Sequence, residues 1–167
     1  NRVNARLYAS MAVTIDDVYA SLERSGQMIA GTKQYLWDLV EKVDNDGTNL
    51  TFHMKEYNVN TMNSVLAQCR PYCGIMPKSI CEKYGTSLIS DINDVIGTGP
   101  YKVKADACEL GKEMTFVRNE KYVICTASPD NNGVASPKYQ YLDGLVFYPI
   151  EESNTRLMAL MGNSLDV

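Results

Sequence analysis

The stretch Gly97–Val103, GTGPYKV, is either a phosphate-binding loop or a joint between two pieces of structure. A phosphate-binding loop places a lysine directly after its second glycine, or leads from a GxGxxG turn into a helix N-terminus. Here Pro100 follows Gly99, and the alternation in YKVKA is typical of a strand. Because proline disfavours helical backbone at the residue before it, no helix is expected to begin here. We therefore predict a joint at which the glycines let the backbone turn sharply into a strand.

The residues that follow this joint predict a β-hairpin. Tyr101 and Val103 share one face of its first strand, and a return strand carries Met114 and Phe116. The turn between the two strands is expected near Gly111. The joint is therefore expected to open an antiparallel pair of strands.

A further strand and a final helix are predicted near the end of the chain. The strand passes through Leu145 and Phe147, and the helix runs from a cap at Ser153 or Asn154 to Gly162. The apolar face of this helix carries three large side chains at helical spacing. That spacing is more typical of a face turned to the core than of an adaptable methionine-rich binding surface. The three residues are Leu157, Leu160 and Met161.

The segment TIDDVYASLER predicts a helix in the first half of the chain. Thr14 and Asp17 stand three residues apart, which is the spacing of a capping box. Val18 and Leu22 then fall on one helical face. Asp16 and Asp17 are interpreted as first-turn acids that the helix dipole favours, rather than as an acid–base pair or metal ligands.

A hairpin and a second helix follow. Alternating apolar residues flank the turn sequence NDG, and the second strand carries Phe52 and Met54 on one face. His53 lies on the other face and is expected to point to solvent. A short helix is predicted to begin near Pro77 and to stop at Gly85. Together these elements predict an α+β fold, a mixed β-sheet with packed helices, divided into subdomains at 1–95 and 96–167.

The composition excludes several classes of protein. The chain has 167 residues, 45% of them hydrophobic and 22% charged, which is enough for one packed core or for two subdomains. Its net charge of -4 argues against a nucleic-acid partner, which requires a basic surface. Its apolar runs are shorter than the roughly 20 residues that span a bilayer. The first residues do not resemble a signal peptide. Because the chain begins without an initiating methionine and ends abruptly at GNSLDV, we expect an excised segment of a longer protein.

Cys69 and Cys73 form the one closely spaced pair among five cysteines. Their spacing, CRPYC, is open to a small disulfide, an edge of a metal site, or free thiols. A zinc site needs about four ligands, and the single histidine, His53, is distant in sequence. Structural cysteines, free or bridged, are therefore favoured over a metal site, and no cofactor is expected.

The order of the blocks along the chain resembles the extracellular solute-binding proteins of family 5, the peptide- and nickel-capturing subunits of ABC importers. These blocks are VTIDDVYASLER, IMPKSICEKYG, VIGTGPYKV, MTFVRNEKY, YLDGLVFYPI and NTRLMALMGNSLDV. The family patterns are TAxDVxxSxxR, GTGPY, RNxxY and ALxxGxxD. The matching residues are Thr14, Asp17, Val18, Ser21 and Arg24; Gly97, Thr98, Gly99, Pro100 and Tyr101; Arg118, Asn119 and Tyr122; and Ala159, Leu160 and Asp166.

Four features of the chain depart from that pattern. Asn163 stands at the glycine position of the last block, and Val123 stands where the family usually has tryptophan. The usual F-DG strand before the first helix is missing. The loop that carries Cys125 and Asn132 is longer than in the family. These departures affect what the resemblance implies about loop structure and about the class of ligand, and they do not affect the assignment to the family.

The resemblance implies part of lobe I of a type II periplasmic-binding-protein fold, a two-lobed clamp without covalent chemistry. The expected partners are a small solute, most simply a peptide, and an ABC permease. The expected location is extracellular or periplasmic, as a lipoprotein whose membrane anchor lies outside this segment. Asp166 and Val167 are the expected cleft-proximal residues, because the family crosses to its second lobe near this point. The glycine-rich stretch corresponds to the family's joint between two subdomains.

Two other functions remain open from the sequence. A thiol hydrolase would need His53 in contact with a cysteine, and the chain carries no local nucleophile signature. A stand-alone interaction domain would expose a large apolar patch. A lobe separated from its partner would expose such a patch too.

Overall fold

The computed structural model describes residues 12–61, 74–109, 111–124 and 137–167. The helices are α1 (Ile15–Met28), α2 (Ala30–Tyr35), α3 (Lys78–Tyr84) and α4 (Ser153–Met161). The strands are β1 (Val40–Asn45), β2 (Leu50–Met54), β3 (Tyr101–Val103), β4 (Met114–Arg118) and β5 (Gly144–Phe147). The α+β class is confirmed. In place of one mixed sheet, these strands form two antiparallel sheets, ordered β1-β2 and β3-β4-β5, because turns reverse the chain between β1 and β2 and between β3 and β4.

Helix α1 begins at the predicted capping box. The Asp17 N–H donates to Thr14 Oγ1 at 3.3 Å, and the Thr14 N–H donates to Asp17 Oδ2 at 2.8 Å. Two of the amides at the start of the helix are thereby satisfied, which stabilises this end. The helix ends at Ile29, whose extended backbone leads directly into α2.

The core of the first half is small and centred on Leu22 of α1 and Leu36 after α2. The Trp37 ring packs beside it, edge-on to Tyr19 and Phe52 at centroid distances of 5.9 and 6.0 Å. The Trp37 Nε1–H donates to the Leu22 carbonyl at 2.9 Å, so the polar atom of the indole is satisfied. Trp37 therefore links α1 to the β1–β2 hairpin.

The β1–β2 hairpin turns at the predicted NDG sequence. Gly47 has a φ of 78°, in the left-handed region that glycine adopts without strain. The Asp46 carboxylate accepts from the Thr48 and Asn49 amides at 2.8 and 2.6 Å. The prediction of α3 is confirmed as well: Pro77 directly precedes the helix, and Gly85, at a φ of 52°, ends it.

The predicted β3–β4 hairpin is confirmed, and β5, predicted as a strand, pairs with β4. Val103 pairs with Phe116, Phe116 pairs with Leu145, and Met114 pairs with Phe147, so these side chains share one face. The turn between β3 and β4 contains Gly111 at a φ of 81°. Across β4 and β5, the Phe116 and Phe147 rings meet edge to face at 5.5 Å.

Two predictions about α4 are wrong. The N-cap is Glu152, not Ser153 or Asn154, because the longer carboxylate reaches back to accept from the Asn154 and Thr155 amides at 2.9 and 2.5 Å. The apolar stripe is exposed rather than buried. Helical spacing fixes which side chains share a face, but not whether another element covers that face. The exposed stripe comprises Leu157, Met158, Leu160 and Met161.

The end of α4 explains the asparagine at the family's glycine position. Asn163 has a φ of 54°, a left-handed backbone that asparagine tolerates better than other non-glycine residues. The Ser164 and Asn163 amides donate to the Ala159 and Leu160 carbonyls at 2.8 and 3.1 Å. This is a Schellman ending in which Asn163 takes the place usually held by glycine. Gly162 is the C-cap, as predicted, with an ordinary φ of -84°.

Gly26 is required by the packing of Trp37. A Cβ at Gly26 would overlap with Cδ1 of the Trp37 ring, whereas a Cβ at Gly31 of α2 would meet no atom within 4 Å. We expect Gly26→Ala to lower the free energy of unfolding by about 1–3 kcal/mol, the usual cost of overpacking. Urea denaturation of the two alanine variants provides the measurement. Gly31→Ala should be neutral or slightly stabilising, and equal losses in both variants would contradict the packing of Trp37 on α1.

Candidate functional site

A polar stripe runs along one face of α1 and holds the chain segment around α3. It consists of the signature positions Thr14, Asp17, Ser21 and Arg24, whose spacings of three and four residues place them on one helical face. Asp17, Ser21 and Arg24 contact residues between Met76 and Ser87. In this chain the signature is thus a tertiary docking surface.

Asp17 joins the start of α1 to the start of α3. Its Oδ1 accepts from the Lys78 N–H at 2.8 Å, while its Oδ2 accepts from the Thr14 N–H and Oγ1–H, both at 2.8 Å. Burial raises the pKa of the Asp17 carboxyl, but the hydrogen bonds from Lys78 and Thr14 outweigh this and lower it overall. Asp17 is therefore a buried structural carboxylate. Asp16 beside it is exposed, as expected for a first-turn acid.

Ser21 and Arg24 continue the stripe. Ser21 Oγ accepts from the Met76 N–H at 3.0 Å and lies 2.7 Å from the Asp17 carbonyl, to which it donates. Arg24 donates through Nη2 to the Ser87 carbonyl, beyond the end of α3, at 2.7 Å. Both ends of α3 are thereby tied to α1. These contacts were not predicted from the sequence, because nothing local indicates which distant amides a helix face will meet.

A second junction joins the GTGPY and RNxxY blocks through Asn119, which is 1% exposed. The Asn119 N–H donates to the Pro100 carbonyl at 2.8 Å, and Nδ2 donates to the Gly99 carbonyl at 2.9 Å. Asn119 Oδ1 accepts from the Lys121 amide at 3.2 Å. Gln140 Nε2 donates to both the Pro100 and Asn119 carbonyls. The glycine-rich stretch is therefore a structural joint, as predicted.

The prediction that Gly97 and Gly99 let the backbone turn sharply is not matched by their backbone angles. Gly97 and Gly99 do not have a left-handed φ; in the described part of the chain the glycines that do are Gly47, Gly85 and Gly111. The Gly99 carbonyl instead accepts a hydrogen bond from Asn119 Nδ2. A Cβ added at Gly99 would make only an ordinary van der Waals contact. The phosphate-loop alternative is excluded by the structure, because strand β3 and not a helix follows Pro100.

Tyr101 at the start of β3 and Arg118 at the end of β4 fix the segment that leads into β5. The Leu142 carbonyl accepts from Arg118 Nε at 2.8 Å and from the Tyr101 hydroxyl at 3.1 Å. Arg118 also forms an ion pair with Asp143 at 3.1 Å. This segment enters the sheet in one defined position as a result.

The described residues do not assemble a thiol hydrolase site. His53 is half-exposed, and its Nε2 lies 2.7 Å from Asp44 Oδ2. The Cys81 thiol is buried, which raises its pKa, and it lies 3.9 Å from Ser21 Oγ. Cys108 Sγ accepts from the Thr115 amide at 3.3 Å. Neither cysteine is placed to use His53 as a base.

Several predictions concern residues that the structure does not describe or does not test. Cys69 and Cys73, the candidate disulfide, lie outside the described residues, as does Cys125. Asp166 and Val167 are exposed at the end of the chain, and their place beside a cleft stays a prediction. The division at 1–95 and 96–167 stays a prediction as well.

Three described surface grooves could accept a small ligand. The largest of the three has a volume of about 610 Å³. Its lining includes Leu36, Phe52 and Met54 as well as the exposed Tyr57. A groove of about 300 Å³ lies between α1 and α3, and one of about 440 Å³ lies beside Cys108. All three are open to solvent. No group of three potential metal ligands occurs among the described residues, and none of the helices described has the length and apolar character that crossing a membrane requires.

The role of Asp17 predicts a specific dependence of stability on pH. Because its folded pKa is lowered, ionised Asp17 stabilises the fold above the ordinary value of 3.8, and this contribution is lost as the pH falls through the folded pKa. We expect Asp17→Asn to lose about 1–3 kcal/mol at neutral pH. Urea titrations between neutral and acidic pH should show the two proteins converging on acidification. Asp16→Asn, at the exposed neighbour, should stay within about 0.5 kcal/mol, and an equal loss there would contradict the account.

The role of Asn119 predicts a loss of stability in the second half of the chain. Asn119→Ala would remove the side-chain hydrogen bond to the Gly99 carbonyl from a site that is 1% exposed, at a cost of about 1–3 kcal/mol. Denaturant unfolding measures this loss. Asn154→Ala on the exposed start of α4 is the matched control and should be nearly neutral. An Asn119→Ala protein as stable as the wild type would contradict the junction.

Solved structures share this arrangement of elements. The periplasmic binding protein AgaA from A. tumefaciens R10, in complex with agropinic acid, has a TM-score of 0.72 at 22% identity, over 98% of this chain and 30% of its own. OppA from Haemophilus influenzae, in complex with the peptide RPPGFSPFR, has a TM-score of 0.64 at 19% identity, over 98% of this chain and 32% of its own. These likenesses confirm the expected fold, part of a lobe of a type II periplasmic binding protein.

Sequence comparison agrees with the fold. The chain is 28% identical over 156 residues to a probable peptide ABC transporter periplasmic-binding protein, y4tO, of Sinorhizobium fredii. The match covers 92% of this chain and 28% of that protein, so the chain spans less than a third of the length of this relative. The family model of bacterial extracellular solute-binding proteins, family 5 (Middle), matches residues 11–167. The chain therefore belongs to the family 5 extracellular solute-binding proteins.

Proposed function

We propose that this chain is part of the substrate-binding subunit of an ABC importer, which captures a small solute outside the cytoplasm and passes it to a permease. The family match over residues 11–167 carries this proposal. The class of ligand we favour is a peptide. Supporting this choice, y4tO is named for peptide transport and the Haemophilus influenzae OppA structure contains a peptide. Another neighbour of the same fold, NikZ of Campylobacter jejuni, contains Ni(L-His), so the fold alone does not select the ligand.

The mechanism that fits this role is non-covalent. The buried carboxylate Asp17 and the buried thiol Cys81 are engaged in structural contacts, and His53 is paired with Asp44. We therefore propose that the protein is not an enzyme. Its membrane contact would come only from an anchor outside this segment, and its location would be extracellular or periplasmic.

The chain by itself is proposed to bind solute weakly or not at all. Binding sites for small molecules usually enclose more than about 70% of the ligand surface, and the described grooves are open. A clamp needs a second wall opposite the first. The chain spans about 30% of the solved relatives, which leaves room in those proteins for such a wall.

The test is thermal unfolding of this chain with and without a pool of short peptides. A ligand at about 100 times its Kd adds about 2.7 kcal/mol, which would raise the Tm by roughly 5–10 °C for a chain of this size. We expect no shift. Full-length Haemophilus influenzae OppA with RPPGFSPFR serves as the positive control, since that pair forms a complex. A shift of the expected size in the isolated chain would contradict the need for a second wall.

A further inference from the structure

We draw no further inference here: the strongest candidate, the open groove beside the β1–β2 hairpin that Leu36, Phe52 and Met54 line, carries nothing because the chain spans about 30% of the length of its solved relatives and nothing in the structure shows what covers this groove.

Discussion

The structure of the first half depends on one contact, the hydrogen bond from the Lys78 amide to the Asp17 carboxylate. It fixes the start of α3 on the start of α1, and Ser21 and Arg24 then hold the residues on either side of α3. The apolar core beside it is small, with Leu22 and Leu36 at its centre. Polar contacts therefore fix both ends of α3 on α1, while Ile80 and Cys81 bury the apolar face of this helix. A buried carboxylate can serve this purpose because three hydrogen-bond donors on Thr14 and Lys78 compensate for the loss of water around it.

The second half depends on a comparable contact around Asn119, which connects the entry into β3, the end of β4 and the side chain of Gln140. Both junctions are built from residues of the family signature. The signature in this chain therefore identifies a fold and not a ligand, because its side chains are occupied with holding backbone segments together. Neighbours that contain agropinic acid, Ni(L-His) or a peptide share this arrangement of elements, so the arrangement alone does not select a ligand.

The features predicted correctly from the sequence are those fixed by neighbouring residues. The Thr14 cap of α1 and the turn at Gly47 each depend on two to four consecutive residues, and the structure contains both. The contacts that were missed join distant segments, as between Gly26 and Trp37, where the absence of a side chain matters only because a ring arrives from elsewhere. The cap of α4 was misassigned because Glu152 reaches further than the shorter side chains usually found at that position. The signature residues at the two junctions are used for structural contacts, and the place of Asp166 and Val167 beside a ligand cleft stays a prediction.

Amide hydrogen exchange followed by NMR tests the central claim most directly, namely that polar contacts from α1 fix the position of α3. The Met76 and Lys78 amides donate to side chains on α1 and not to their own helix. If α1 and α3 open as one unit, these two amides will exchange with the same free energy of opening as the amides in the middle of α1. Exchange of Met76 and Lys78 at rates close to those of an unfolded chain, while α1 stays protected, would contradict the account.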